Sequence, residues 1–528
     1  MRVLFVSAEI FPLAKTGGLA DVSAALPQAL VQGGMDVRLV LPAYPRALAL
    51  ATEKEIVAEL PDATGSEPLR VIAARIPDSG LPVWLVDAPN LYDRPGTPYL
   101  DEAGCDWPDN ARRFATFSRV AAKIALGEVD RDWHADVVHA NDWHTGLLPL
   151  LIGQSTKERP PTIFTIHNLA YQGLFPHSVL PVIGLPDGLF TPDGVEYYGR
   201  VSFMKAGIRF SQAITTVSPS YAQEILTADY GCGLDGLLNL RRRDITGILN
   251  GVDYSIWDPA HDPHLPVSFD VGNMAGKLAC KEELQRELGL TTDPAVPLVV
   301  WLSRITDQKM ADVVARTLHR IFERDVQLAV LGDGEPALEA EFRDAAAHYP
   351  GRLAVRIGYR EELAHRHLAG ADLLLHPSRF EPCGLTPLYA MRYGAVPIVR
   401  HVGGMSDTIV DTTEWTAACG CATGFAFAQP NADALLDCLD RALAFYGQRS
   451  IWSRIQQRAM SRRFGWAEAA KRYSSLYRKL APDTAAVIPE RPPERLVPAK
   501  RMALVHETVG APPRVKGLAA DDPHQHVA

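Results

Sequence analysis

The chain has 528 residues with a net charge of −9, 47% of them hydrophobic and 22% charged. At roughly 100–200 residues per domain, this length implies two or three domains with enough core to dispense with disulfides or metals. The acidic balance excludes a protein that grips nucleic acid through bulk positive charge.

Seven cysteines are odd in number and form no repeated C-x-x-C pair, so neither a disulfide framework nor a zinc ribbon is expected. A short apolar run closes at the acidic Glu9, which is not a secretory signal. No stretch reaches the roughly 18 apolar residues of a membrane span. A cytoplasmic protein is expected.

In chain order, residues 3–7 read as a buried strand. A loop with Lys15, Thr16, Gly17 and Gly18 follows, then an amphipathic helix over 19–31 and a strand over 37–41. This is one βαβ unit of a doubly wound sheet. Further parallel strands are expected at 83–86, 136–139, 162–166 and 213–217. Prolines cluster over 250–270, and the pattern then restarts with strands at 297–302, 326–331, 353–357, 371–375 and 396–399 and a helix over 312–322. The fold class is therefore α/β with two Rossmann-like domains. A last amphipathic helix spans 466–480. Residues 482–528 hold eight of the forty prolines and equal numbers of basic and acidic residues, which reads as a disordered tail.

Three loops carry candidate chemistry. Gly17-Gly18 lets backbone N–H groups approach a ligand at a helix start, with Lys15 as a point charge suited to phosphate. The same residues also fit a tight turn with a solvated lysine. The loop is neither a P-loop nor G-x-G-x-x-G, which disfavours an NTPase and a nicotinamide-dependent oxidoreductase. Arg304 and Lys309 lie where open α/β sheets bind ligands and could turn toward one anion, or stand as two solvated cations. In Ser378-Arg379-Phe380-Glu381-Pro382-Cys383-Gly384-Leu385-Thr386-Pro387, Pro387 near a helix start builds an exposed N-terminus for phosphate, with Glu381 just outside it. Glu381 reads as a ligand-facing carboxylate or as a cap. His139, Asp142, His144, His167 and Asn168 sit at strand ends, and His139 and His144 also fit ordinary turn residues. No metal motif is present: Asp130-Arg131-Asp132 reads as a solvated turn. There is no nucleophile elbow.

In this order, the motifs resemble the bacterial glycogen synthases and plant starch synthases, glycosyltransferase family 5, over residues 1–480. The resemblance rests on Lys15 to Val22, His167-Asn168-Leu169-Ala170-Tyr171-Gln172-Gly173, Leu249-Asn250-Gly251-Val252-Asp253, Ser378 to Leu385, and His401-Val402-Gly403-Gly404-Met405-Ser406-Asp407. It implies the GT-B architecture, two Rossmann-like domains facing across a deep cleft. The acceptor-side domain would be 1–255 and the nucleotide-sugar domain 256–465. A helix over 466–481 would cross back, and 482–528 would be the tail.

The implied activity is retaining transfer of glucose from ADP-glucose to the non-reducing 4-OH end of an α-1,4-glucan such as glycogen. It needs no metal or other cofactor and no nucleic acid or membrane partner, and the sequence assigns no oligomeric state. By resemblance Arg304 and Lys309 would hold the diphosphate, with Lys15, Gly17, Gly18 and Asp21 approaching from the other domain. Cys383, Gly384, Leu385 and Thr386 would cradle the distal phosphate, and Tyr359 would stack on adenine. Glu381 would face the glucosyl unit, with His167, Asn168 and Asp142 opposite and Tyr99 and Asn250 lining the cleft. Alternatives are a relative using UDP-glucose or a small acceptor, and a silent glucan-binding relative. Two positions depart from the family pattern. Met310 stands where Gly is usual and is expected to crowd the phosphate loop, and Pro387 replaces a polar residue but suits a first helical turn.

Overall fold

The computed structural model describes residues 1–61 and 69–482; the stretch read as a disordered tail lies, from residue 483 onward, outside the described residues. The first half builds β1 (Arg2–Val6), β2 (Asp36–Pro42), β3 (Thr52–Leu60), β4 (Leu69–Arg75), β5 (Pro82–Asp87), β6 (Val137–Asn141) and β7 (Thr162–Ile166). It continues with β8 (Leu174–Pro176), β9 (Glu196–Tyr197), β10 (Arg200–Ser202), β11 (Ala213–Thr216) and β12 (Ile245–Gly247). Nine of these form one sheet in the order β12-β11-β7-β6-β1-β2-β5-β4-β3. It is parallel from β12 to β5, while β4 and β3 add an antiparallel edge.

Covered strands are buried throughout, as along every residue of β6 and β7, where the few polar side chains find hydrogen bonds inside the fold. The edge strand β3, Thr-Glu-Lys-Glu at its start, is mostly exposed, so it has no apolar run to betray it. β8, β10 and β9 form a separate three-stranded antiparallel sheet that the sequence pattern did not suggest.

The second half builds β13 (Leu298–Leu302), β14 (Gln327–Gly332), β15 (Leu353–Ile357), β16 (Leu373–His376), β17 (Val396–Arg400) and β18 (Phe425–Phe427). All are parallel, in the order β15-β14-β13-β16-β17-β18. The expected strands and the helices Gly18–Gln32, Ala311–Ile321 and Trp466–Leu480 fall within a few residues of their observed bounds.

In each sheet the strand order reverses beside the first strand, β1 or β13. Crossover connections leave in opposite directions there and open a crevice at the carboxyl ends. The helix Trp466–Leu480 returns to the first half, where Tyr473 and Tyr477 join its core and the Tyr477 hydroxyl lies 2.8 Å from His139 Nδ1. His139 is thus a core residue of β6 rather than a turn residue.

Candidate active site

The crevice of the first sheet is built by the loops after β1 and β6. Glu9, only 4% exposed, accepts the backbone N–H groups of Thr16 and Gly17 on Oε2, at 2.5 and 3.0 Å, and the Tyr99 hydroxyl on Oε1 at 2.6 Å. Burial raises its carboxyl above the ordinary value, against those hydrogen bonds. The Thr16 and Gly17 N–H groups of the glycine loop are thus taken up by a carboxyl group of the chain itself.

Tyr99 is not an open cleft wall: it is buried, stacked on His144 at 4.5 Å, and meets the cleft through Glu9. Lys15 reaches Asp21 and Glu361, each at 2.9 Å, and the second pair joins the two halves. Burial opposes the Lys15 charge, but Asp21, Tyr359 and Glu361 outweigh it and hold the ammonium firmly protonated.

After β6, Asp142 adopts a positive φ of 59° and is buried. That backbone conformation is costly for any residue but glycine. Its Oδ1 accepts the His167 N–H at 3.2 Å, yet burial still pushes its carboxyl up to about 8. His167 is half-buried, its Nε2 3.0 Å from Asn141 Oδ1, and desolvation lowers its pKa to about 3. It is a neutral hydrogen-bonding ring at neutral pH. Asn168, beside it, is also half-buried. Neither ring nitrogen of the buried His144 has a partner among the described residues.

The second crevice lies at the ends of β13 and β16. The loop after β16 carries Glu381, which is 7% exposed. Its Oε2 receives the Lys309 ammonium, the Ser378 hydroxyl at 3.0 Å and the His376 Nε2 at 3.1 Å. Burial alone would raise its pKa, but Lys309 and then His376 reverse this and hold the carboxyl well below its usual range. Glu381 is therefore an ionised carboxylate at neutral pH.

Gly384, at φ 80°, caps the helix Leu385–Arg392, whose start lies close to Pro387 as expected. Thr386 and Pro387 therefore lie in its first turn, where backbone N–H groups have no partner within the helix. A Cβ on Gly18 would come 3.3 Å from Leu385, so two helix N-termini meet across the cleft.

Arg304 Nη1 donates to the Tyr171 hydroxyl of the first half at 3.0 Å, and Nη2 to Gln308 at 3.2 Å. Tyr359 follows β15 with 45% of its surface exposed, its ring 5.8 Å from the Lys15 ammonium. Asn250 is buried against the Cys383 thiol, which burial pushes up to about 12. The Asn250 Oδ1 has no partner among the described residues.

Met310 does not crowd the phosphate loop as expected. It is 0% exposed within the core of the second half, with φ 54° and ψ 31°. The requirement at this position is a left-handed backbone, which explains the family's glycine. Asp130, read as part of a solvated turn, is instead half-buried and paired with Arg38 at 3.0 Å.

Sequence reasoning missed Glu9, Glu361, His376 and Tyr171 as site residues. Glu9 had a usable signal, a lone carboxylate at the carboxyl end of the first strand. Glu361 had none, because its partner is 346 positions away. Among the described residues no three His, Cys, Asp or Glu side chains are grouped to hold a metal ion, and no helix is long and apolar enough to cross a membrane.

Residues 2–240 match the starch synthase catalytic domain family, and residues 296–444 match glycosyl transferases group 1. A glycogen synthase of Paramagnetospirillum magneticum is 49% identical over 482 residues, covering 91% of this chain and 98% of that one. The chain belongs to the glycogen synthase family.

A second glycogen synthase, from Burkholderia thailandensis, is also 49% identical, over 91% of this chain and 90% of its own. Among solved structures, the catalytic domain of starch synthase IV from Arabidopsis thaliana, bound to ADP and acarbose, superposes with a TM-score of 0.83. It is 32% identical and covers 91% of this chain and 99% of its own. Sucrose-phosphate synthase of Thermosynechococcus elongatus, 17% identical with a TM-score of 0.56, shares the fold. The architecture of this glycogen synthase family member is GT-B, and the protein is a glycosyltransferase.

Proposed function

We propose that this chain transfers glucose from ADP-glucose to the non-reducing 4-OH end of an α-1,4-glucan, with retention and release of ADP, and without a metal. The observation that carries the reading is the Lys309–Glu381 pair beside a helix N-terminus that faces the Gly17-Gly18 loop. Breaking the C1–O bond leaves negative charge on the diphosphate and oxocarbenium character on the sugar. Lys15, Arg304, Lys309 and the N–H groups of Gly384 to Thr386 are fixed partners for the first charge. That set can do what Mg²⁺ does elsewhere.

Glu381 offers its charge to the sugar. Its Oε2 already accepts three donors, which hold the charged group in place as an electrostatic stabiliser. The acceptor oxygen then attacks from the leaving-group face and its proton passes to the departing phosphate. On the far wall, neutral His167, Asn168 and protonated Asp142 hydrogen-bond the glucosyl hydroxyls, Asn250 Oδ1 accepts another, and Tyr359 stacks on the base. Glu9 must give up the Thr16 and Gly17 N–H groups, or share them, when the donor enters.

The test is incorporation of labelled glucose into glycogen from ADP-glucose and, separately, UDP-glucose, with and without EDTA. Incorporation from ADP-glucose that survives EDTA is expected. Activity that EDTA abolishes and Mg²⁺ restores would refute metal-free chemistry. Lys15→Ala is expected to lower kcat/KM for ADP-glucose by roughly 10²-fold, the scale of one preorganised donor. An unchanged kcat/KM would remove Lys15 from the donor site.

A further inference from the structure

The strand β16 reads Leu373-Leu374-Leu375-His376 and is buried at all four positions, between β13 and β17. Leucine suits such a place, and a histidine breaks the pattern. His376 is 3% exposed, with its Nε2 3.1 Å from Glu381 Oε2. Glu381 is ionised, so Nε2 carries a proton and donates it to the carboxylate. Burial, reinforced by the Lys309 charge, lowers the pKa of the ring against the pull of Glu381 and keeps it neutral. Nδ1 of that neutral ring holds a lone pair with no partner among the described residues. A buried ring with one nitrogen unpaired costs stability that a leucine here would not. The ring supplies one thing leucine cannot, a fixed N–H on the carboxylate.

We propose that His376 is a positioning residue for Glu381, holding the carboxylate still once Lys309 turns to the donor. The inference rests on the ADP-glucose reading, in which Lys309 is a partner of the diphosphate. Three donors converge on Glu381 Oε2: the Lys309 ammonium, the Ser378 hydroxyl and the His376 ring. An ammonium is a point charge on a flexible stem, and a diphosphate competes for it. When the anion draws Lys309 away, Oε2 keeps Ser378 and His376. The serine hydroxyl rotates freely about its own bond and follows the carboxylate wherever it moves. The imidazole does not follow, because β16 fixes its backbone in the middle of the sheet and the ring is packed on all sides. His376 therefore resists the swing that loss of the ion-pair partner would allow. Its effect falls on the step in which positive charge grows on the sugar, and not on donor binding.

Steady-state kinetics with ADP-glucose and glycogen, beside calorimetric binding of ADP, test this on the full chain. His376→Leu is expected to lower kcat roughly tenfold, the scale of one hydrogen bond to a charged group. Its KM for ADP-glucose and its ADP Kd should stay within about twofold of the parent's, because no contact to the donor is lost. His376→Gln, whose amide reaches where Nε2 stood, should recover most of kcat. A packing role predicts the reverse order, since leucine suits the apolar strand better than glutamine. In a Glu381→Gln background, His376→Leu should change kcat by less than about twofold, because residues that act as one unit are not additive. If the Leu variant does not fold, His376→Asn, too short to reach Oε2, takes its place. A folded variant with the parent's kcat would overturn the positioning role. So would equal losses in the Leu and Gln variants, or an undiminished loss in the Glu381→Gln background. A parent with no transfer from ADP-glucose overturns the donor reading itself.

Discussion

Replacing Glu381 by Gln is expected to lower turnover by roughly 10²–10³, the scale of removing one preorganised electrostatic partner. ADP affinity should be unchanged or tighter. The reason lies in the ion pair: Lys309 is committed to Glu381, and both side chains are buried. A neutral amide releases Lys309 toward the diphosphate while removing the charge that faces the sugar. The kcat and the ADP Kd should therefore move independently, which steady-state rates and calorimetry read separately. A near-normal kcat would refute the role of Glu381.

The same substitution breaks a buried pair, at a cost on the order of 3–5 kcal/mol at neutral pH. The Glu381 carboxyl is held below its ordinary pKa when folded. Its stabilisation is present above the unfolded pKa and is lost as pH falls below it. The melting-temperature gap between parent and variant should accordingly stay constant from pH 7 to pH 5 and narrow as the pH falls below the unfolded value of 4.5.

Asp142→Asn is expected to do the opposite to stability: the variant melts higher than the parent, by more at pH 8 than at pH 5. In the folded chain burial raises this carboxyl from 3.8 to about 8. Between those values the folded state holds a proton that the unfolded state has lost, so stability falls as pH rises across that window. Asparagine never ionises and escapes this loss, a difference on the order of a few kcal/mol by pH 8. The positive φ at this position adds backbone strain that the fold sustains from its surroundings. A strained and desolvated acid at the carboxyl end of β6 marks a residue kept for the ligand, so activity should fall in the variant although stability rises. A parent and variant whose melting temperatures run parallel from pH 5 to pH 8 would refute the raised pKa.

The parallel strands and the three ligand loops were legible because their signals are local. Buried strands such as β7 read as apolar runs, and Gly17-Gly18 and Gly384 sit where a turn must start a helix. The edge strand β3 and the small sheet of β8, β10 and β9 were not legible. One faces solvent, and the others are two or three residues long. Lys15, Arg304, Lys309 and Glu381 were named from their loops, but their pairing was not. Lys309 with Glu381 spans 72 positions, and Lys15 with Glu361 spans 346. Tyr99 was assigned to the cleft, and Glu9 turned out to stand between them.

The sequence alone determined the two α/β halves, the family and the identity of the charged loop residues, because those follow from short-range patterning and motif chemistry. Only the tertiary structure decided how the charges are spent. An acidic chain of net −9 meets its anionic donor with cations already neutralised by Asp21, Glu361 and Glu381. Glu9 occupies the N–H groups of the glycine loop in the same way. Such compensation arises only when loops from two sheets are brought face to face, where desolvation forces every buried charge to find a partner.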